Sequence, residues 1–355
     1  MSDDDFIKLY PTNWLYNSAV LGFLSVLHKN GYDINSFLSD DGTIYFPNKM
    51  IIAESINPYK KFNEMNKQKP IPLVGKNANC PNYLQKGEEA AFEKLINDFV
   101  HLEENHSMQC SLCTQHFHLA DNPSWSVDVK KVKERIVDSG FTVIHSSSLA
   151  PSIKKFPNSL WNMKASMNLC PLCSYLLVFS HIAFTHTIEG AILINGTSFK
   201  TMWHLNKYAA EVFSRQNVRN IFAMSLMEYS QKVNATLGMW NIANNEVVIK
   251  TRDGRIDHYS MPYEQTRLLL NRKISALITK TREPYVLDAV LSGHFVDLLT
   301  MNEKLLKAVQ SNNVDDGKRY LCNYENHKTS RMRTIAATLP ELYIQINKQL
   351  HEEVI

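Results

Sequence analysis

Apolar residues recur at helical spacing along most of the chain and at strand spacing in a few short runs. From Trp14 to His28 the sequence is apolar almost all round, through Leu15, Tyr16, Ala19, Val20, Leu21, Phe23, Leu24, Val26 and Leu27. That pattern predicts a helix inside a core rather than on its edge, ended by Asn30 and Gly31. The turn residues Asp40, Asp41 and Gly42 then lead into a predicted strand from Thr43 to Phe46, closed by Pro47. Residues 57–81 hold four prolines among many polar positions and predict a long surface excursion.

From Glu88, the positions Phe92, Leu95, Ile96, Phe99 and Leu102 predict an amphipathic helix leading to Cys110. Val129, Val132, Ile136 and Val137 predict a helix stopped near Gly140, with a strand from Phe141 to Ile144 after it. Tyr175 to Phe184 is nearly all apolar and predicts a buried helix, and Ala191 to Ile194 predicts a strand. Helices follow over Thr201 to Ser214 and Arg219 to Leu237. Asp253 and Gly254 then sit between the alternating runs Glu246 to Lys250 and Ile256 to Ser260, the favoured arrangement for a two-residue hairpin turn. Beyond Pro262 the period is helical to about Gln310, loosens at Asn312 to Gly317, and resumes from Leu339. The expected fold is α+β and mainly α-helical, with a mixed domain over residues 1–260 and a helical region over 261–355.

Cysteine spacing adds chemistry to this frame. Cys110 with Cys113, and Cys170 with Cys173, form two CxxC turns separated by 56 residues. Each CxxC sets two thiolates on one tight turn, and two such turns close a tetrahedral four-cysteine zinc site. Four thiolates fill the shell and leave no position for substrate, so the expected zinc is structural, tying the ends of an insert of about residues 110–173, with redox or unligated cysteines as the alternative. Cys80 and Cys322 have no partner at ligand spacing and read as small core residues.

The 355 residues are 44% hydrophobic and 21% charged, with 12 glycines and 13 prolines. That excludes collagen-like and linker-rich classes. The acidic start at Asp3, Asp4 and Asp5, and an apolar run broken by Asn17, Ser18, Gly22 and Ser25, predict neither a signal peptide nor a membrane span. A cytoplasmic location follows as the expectation, where thiols stay reduced and free for zinc.

The overall charge is only +3, but residues 199–282 carry +7 while residues 1–57 carry −4. Within the basic segment Lys200, Lys207, Arg215, Arg219, Arg252, Arg255, Arg267, Arg272 and Lys273 alternate with Trp203, Tyr208, Phe213, Trp240, Tyr259 and Tyr263. Cations on phosphate and aromatic faces on exposed bases make this segment a candidate nucleic-acid contact. No phosphate loop, dinucleotide fingerprint, HExxH or GxSxG is present. The alternative is a zinc-dependent nucleic-acid enzyme, such as a nuclease, built around His116 and His118.

The opening Trp14-Leu15-Tyr16-Asn17-Ser18-Ala19-Val20-Leu21-Gly22-Phe23-Leu24, then Asp41-Gly42-Thr43-Ile44, then the paired CxxC turns, together resemble the CXXC-CXXC large subunit of type I-B CRISPR Cascade complexes. These motifs span about the first half of the chain. The resemblance implies a non-catalytic subunit that binds the guide RNA handle beside other Cascade subunits. It implies reading of the motif flanking the target double-stranded DNA, help in parting the strands, and presentation of the target to a separate helicase-nuclease. It assigns Cys110, Cys113, Cys170 and Cys173 as zinc ligands. Members of the family tend to be longer and to end in a bundle resembling the complex's small subunit. Only about 90 residues follow Pro262 here, so a reduced bundle, or one supplied by separate chains, is expected.

Overall fold

In the computed structural model the described residues are 6–47, 51–52, 87–98, 100–102, 108–118, 122–138, 141–142, 166–211, 217–232, 245–252, 255–311 and 314–351. They confirm a mixed fold that is mainly helical. The chain divides into two compact units, Met1–Trp203 with Val247–His258, and His204–Glu246 with Tyr259–Ile355. A single cut near residue 260 therefore gives way to an exchange. The Val218–Lys232 helix buries Ile221, Phe222, Leu226 and Tyr229 and packs with helices that follow residue 262.

The first unit is organised by α1 (Trp14–Lys29), which is buried from Leu15 to Leu27 except at Ser25. Asn13 caps it by accepting the Tyr16 backbone N–H at 3.0 Å, and Gly31 leaves it at φ 92°. Around α1 lie edge-on ring contacts between Phe23 and Phe46 and between Phe23 and Phe179, at 5.8 and 5.3 Å. A Cβ on Gly22 would lie 2.0 Å from the Phe179 carbonyl oxygen, so only glycine lets that backbone come so close. Strand β1 (Ile7–Leu9), not among the expected elements, pairs antiparallel with β2 (Ile44–Phe46).

Next comes α2 (Glu89–Asn97). It stops short of the expected end, because Leu102 belongs to β3 (Val100–Leu102), which pairs with β5 (His116–His118) rather than extending the helix. Strand β4 (Met108–Gln109) completes this sheet in the order β3-β5-β4. The insert holds α3 (Val127–Lys133), with Val129 and Val132 buried, and a pair of short strands, β6 (Phe141–Thr142) and β7 (Ser166–Met167). Helix α4 (Pro171–Leu176) tightens into a 3-10 helix at Leu177–Ala183 where one continuous helix is expected. A second sheet runs β11-β10-β9-β8, from β8 (Thr185–His186), β9 (Gly190–Asn195), β10 (Glu246–Thr251) and β11 (Ile256–Ser260). The expected hairpin is thus present. Its tip residues Asp253 and Gly254 lie outside the described residues, as do Cys80 and the 57–81 excursion.

Helix α5 (Phe199–Glu211) carries the chain to α6 (Val218–Lys232). After Pro262 the helical pattern resolves into α7 (Tyr263–Leu270), α8 (Arg272–Thr281), α9 (Pro284–Ser292) and α10 (Val296–Gln310). Each break has a local cause. Asn271 caps α8 by accepting from the backbone of Lys273 and Ile274, Arg282 turns left-handed at φ 50°, and Gly293 does so at φ 72°. After α11 (Val314–Lys318), α12 (Thr329–His351) starts ten residues before the expected Leu339. Its polar first turns are compatible with helix because Thr334 and Thr338 donate back to the carbonyls of Ser330 and Thr334.

Candidate metal centre

The two CxxC turns converge. Cys110, Cys113, Cys170 and Cys173 are all buried, and their sulfurs lie within 4.8 Å of one another. Cys113 and Cys170 approach to 4.0 Å. A tetrahedron with metal–sulfur bonds of about 2.3 Å has sulfur–sulfur edges of about 3.8 Å, so closing on an ion requires only sub-ångström shifts. Four soft sulfur donors in an apolar shell suit a metal ion that prefers thiolate, and the residues present fit one.

Different local structures deliver the two pairs. Cys110 and Cys113 sit on the turn between β4 and β5, where the Thr114 N–H donates to the Cys110 carbonyl at 3.0 Å and Thr114 takes φ 61°. Cys170 is the N-cap of α4, and Pro171 at the first helical position pre-sets the turn that places Cys173. The Cys170 N–H donates to Cys110 Sγ and the Cys173 N–H to Cys170 Sγ, each at 3.4 Å. Such donors offset thiolate charge in a buried site. The Ser111 N–H donates to the Asn168 carbonyl at 2.9 Å, joining the turns through backbone.

The opening stretch of α1 supports the first turn. The Asn17 amide donates to the Thr12 carbonyl at 3.2 Å and to Asn195 Oδ1 at 2.8 Å, while its oxygen accepts the Thr12 N–H at 3.0 Å. Thr12, held this way, donates its hydroxyl to the Leu112 carbonyl inside the CxxC turn at 2.9 Å. Tyr16 is fully buried, and its hydroxyl has no hydrogen-bond partner among the described residues. Burial first, then the charges of Cys173, Cys113, Cys170 and Cys110, push that hydroxyl well above its ordinary range.

Burial also pushes the Cys170 and Cys173 thiols well up. Cys110 runs the other way: its hydrogen bond with Cys113 opposes ionisation, and those with Cys170 and Cys173 outweigh it. Without a cation, four thiolates at this spacing are unfavourable, and a metal ion bound here would take the place of the protons. His116, on β5, is not in the cluster. Cys322 is exposed, not a core residue.

The candidate nucleic-acid residues fall in both units. Lys200 pairs with Asp40 at 2.6 Å in the first unit, where Arg252 and Arg255 are exposed on either side of the hairpin tip. In the second unit Arg219 donates to Ser292 Oγ at 2.9 Å, Lys273 pairs with Glu341 at 3.3 Å, and Arg272 donates to the Ser230 carbonyl at 2.9 Å. Arg267 is only 4% exposed and donates to the Gln349 carbonyl, so it braces α12 instead of facing solvent. Arg215 lies outside the described residues, with Phe213 and Trp240. Trp203 and Tyr208 are core residues. Among the described residues the cations and rings of the basic segment divide between the two units, and Arg267, Trp203 and Tyr208 are buried.

Among the described residues no helix is long and apolar enough to cross a membrane. No protein-family model, curated protein or solved structure matches the chain.

Proposed function

We propose that this chain is the non-catalytic large subunit of a type I CRISPR RNA-guided surveillance complex, with zinc as the ion held by Cys110, Cys113, Cys170 and Cys173. One observation carries the reading. The segments that bear the family resemblance meet in space, through the Asn17, Thr12 and Leu112 chain of hydrogen bonds between the opening stretch and the first CxxC turn. Zinc then ties the ends of the insert and fixes the surface around α1. All four ligands are protein sulfurs, so the centre has no open position for a substrate and its part is architectural.

In this reading the protein works in the cytoplasm with guide RNA, other Cascade subunits, target double-stranded DNA and a helicase-nuclease. Base pairing with the guide selects the target, while the protein grips backbone and reads the flanking duplex. The exposed Arg252 and Arg255 are the first candidates for the duplex phosphates, beside Lys200, Arg219, Arg272 and Lys273.

The test is duplex binding by the assembled complex over a range of salt. Replacing both hairpin arginines with alanine lowers affinity and flattens the salt slope by about 0.9 for each phosphate no longer neutralised. An unchanged slope removes the hairpin from the interface. Metal-dependent strand cleavage by the chain alone, abolished by His116→Ala, would replace the subunit reading with a nuclease.

A further inference from the structure

The metal centre makes no use of the outward face of β1 and β2. Ile7 and Leu9 turn into the core at 6% and 1% exposure, while Phe6 and Tyr10 on either side of them are each 46% exposed. Tyr45 on β2 is 43% exposed and stands opposite Lys8 in the strand register. The Phe6 and Tyr45 rings stack with centroids 5.5 Å apart and planes 30° apart. The Lys8 ammonium lies 5.1 Å from the centre of the Tyr10 ring. A two-stranded sheet thus presents three rings and one cation, with its aliphatic side chains turned inward.

Large rings left in water forgo the burial that most aromatic residues gain, so a face of this kind points to a ligand. Among the described residues of this face the exposed large side chains are rings and a lysine, with no aliphatic side chain beside them. Flat rings beside an ammonium match a nucleobase joined to a phosphate. Lys8 pairs with Asp41 at 3.1 Å, and both side chains are partly in water at 34% and 53% exposure. A pair so exposed is weak and can exchange for phosphate. The neighbouring Asp40 is paired with Lys200.

We propose that the Phe6, Tyr10 and Tyr45 face is a stacking platform for unpaired bases of a single-stranded nucleic acid, with Lys8 on the adjoining phosphate. The proposal rests on the nucleic-acid-binding reading above and adds residues that do not belong to the basic segment. Stacking on ring faces tolerates any base, so the platform is indifferent to sequence.

The test uses the full chain with a labelled oligouridine of about 12 nucleotides and a duplex of the same length. Tyr45→Ala and Phe6→Ala each weaken oligouridine binding by about 5- to 150-fold, with the salt slope and duplex binding unchanged. Tyr45→Phe keeps the affinity, while Lys8→Ala flattens the slope by about 0.7. Photocrosslinking of 5-iodouridine gives adducts on peptides carrying Phe6, Tyr10 or Tyr45. Alanine variants that keep the parent's melting curve and bind oligouridine like the parent overturn the platform, as do adducts found only elsewhere. A parent chain that binds duplex but not the single strand refutes the platform and leaves the broader reading standing; binding to neither sinks both. Variants that lose a protein subunit but keep the oligonucleotide also overturn it, in favour of a protein contact.

Discussion

Replacing Asn17 with alanine separates the support of the metal centre from its ligands. The side chain is fully buried and makes three hydrogen bonds of 2.8–3.2 Å, two to the backbone of Thr12 and one to Asn195, and a longer one of 3.5 Å to the Gly196 carbonyl. At a net value of about 1 kcal/mol per bond the loss is about 3 kcal/mol. For a domain of 150–250 residues that corresponds to a fall of about 6–12 °C in the melting temperature. Thr12 is then free to release the Leu112 carbonyl, and the first CxxC turn loosens. Direct partners of ligating residues change metal affinity by about 10- to 100-fold, and Asn17, which acts on the turn through Thr12 and Leu112, should weaken it by less than that. Differential scanning fluorimetry reads the first effect, and competition with a chromophoric chelator reads the second. Thr12→Val, which removes only the hydroxyl bond to Leu112, should weaken the metal with a much smaller loss of stability. If Asn17→Ala lowers the melting temperature while both variants hold metal as the parent does, the opening stretch does not support the centre.

Other perturbations give separate readings. Replacing Cys110 and Cys170 with serine should release the metal and unfold the insert, seen as a fall in hydrogen-exchange protection between β4 and α4; a stable, metal-free, fully protected variant would refute the structural role. Burial raises the Cys170 and Cys173 thiols, so without metal they favour the protonated fold below their unfolded value, and that contribution is lost as the medium becomes alkaline. Urea titrations of metal-free protein should therefore show falling stability above about pH 9, while the loaded protein resists; parallel curves would count against thiolate ligation. In the second unit the buried Glu283 accepts the backbone N–H of Cys322 at 2.7 Å and of Asn323 at 3.3 Å, and the Asn326 amide at 3.0 Å. Glu283→Ala should cost about 3 kcal/mol in urea unfolding, and a loss below about 1 kcal/mol would show that the network is not needed. Gly22→Ala would set a Cβ 2.0 Å from the Phe179 carbonyl oxygen and should cost at least about 2 kcal/mol.

How far the sequence reveals the fold depends on the range of the interaction that decides each element. Helix α1 and the β10-β11 hairpin are legible because an all-round apolar run and an Asp-Gly turn act within a few residues. The four cysteines are legible for a different reason: metal ligation leaves its spacing in the chain, although the partner turns lie far apart in sequence. Strand β1 and the end of α2 depend on pairing with segments elsewhere, β2 and β5, and no local signal specifies which segment is the partner. The same holds for the division into units, which follows from what α6 packs against rather than from its own pattern. Arg267 shows the limit of charge counting, since a cation in a basic segment can be spent inside the fold. The period-2 run Phe6, Ile7, Lys8, Leu9, Tyr10 does carry the signal of the exposed aromatic face, in a stretch short enough to be overlooked.

The most direct test of the subunit reading is to co-express the chain with its genomic neighbours, isolate it by an affinity tag, and sequence the RNA that accompanies it. Short RNAs sharing a constant, repeat-derived 5′ end are the predicted result. A protein recovered alone and free of RNA, from cells that also express those neighbours, would contradict it.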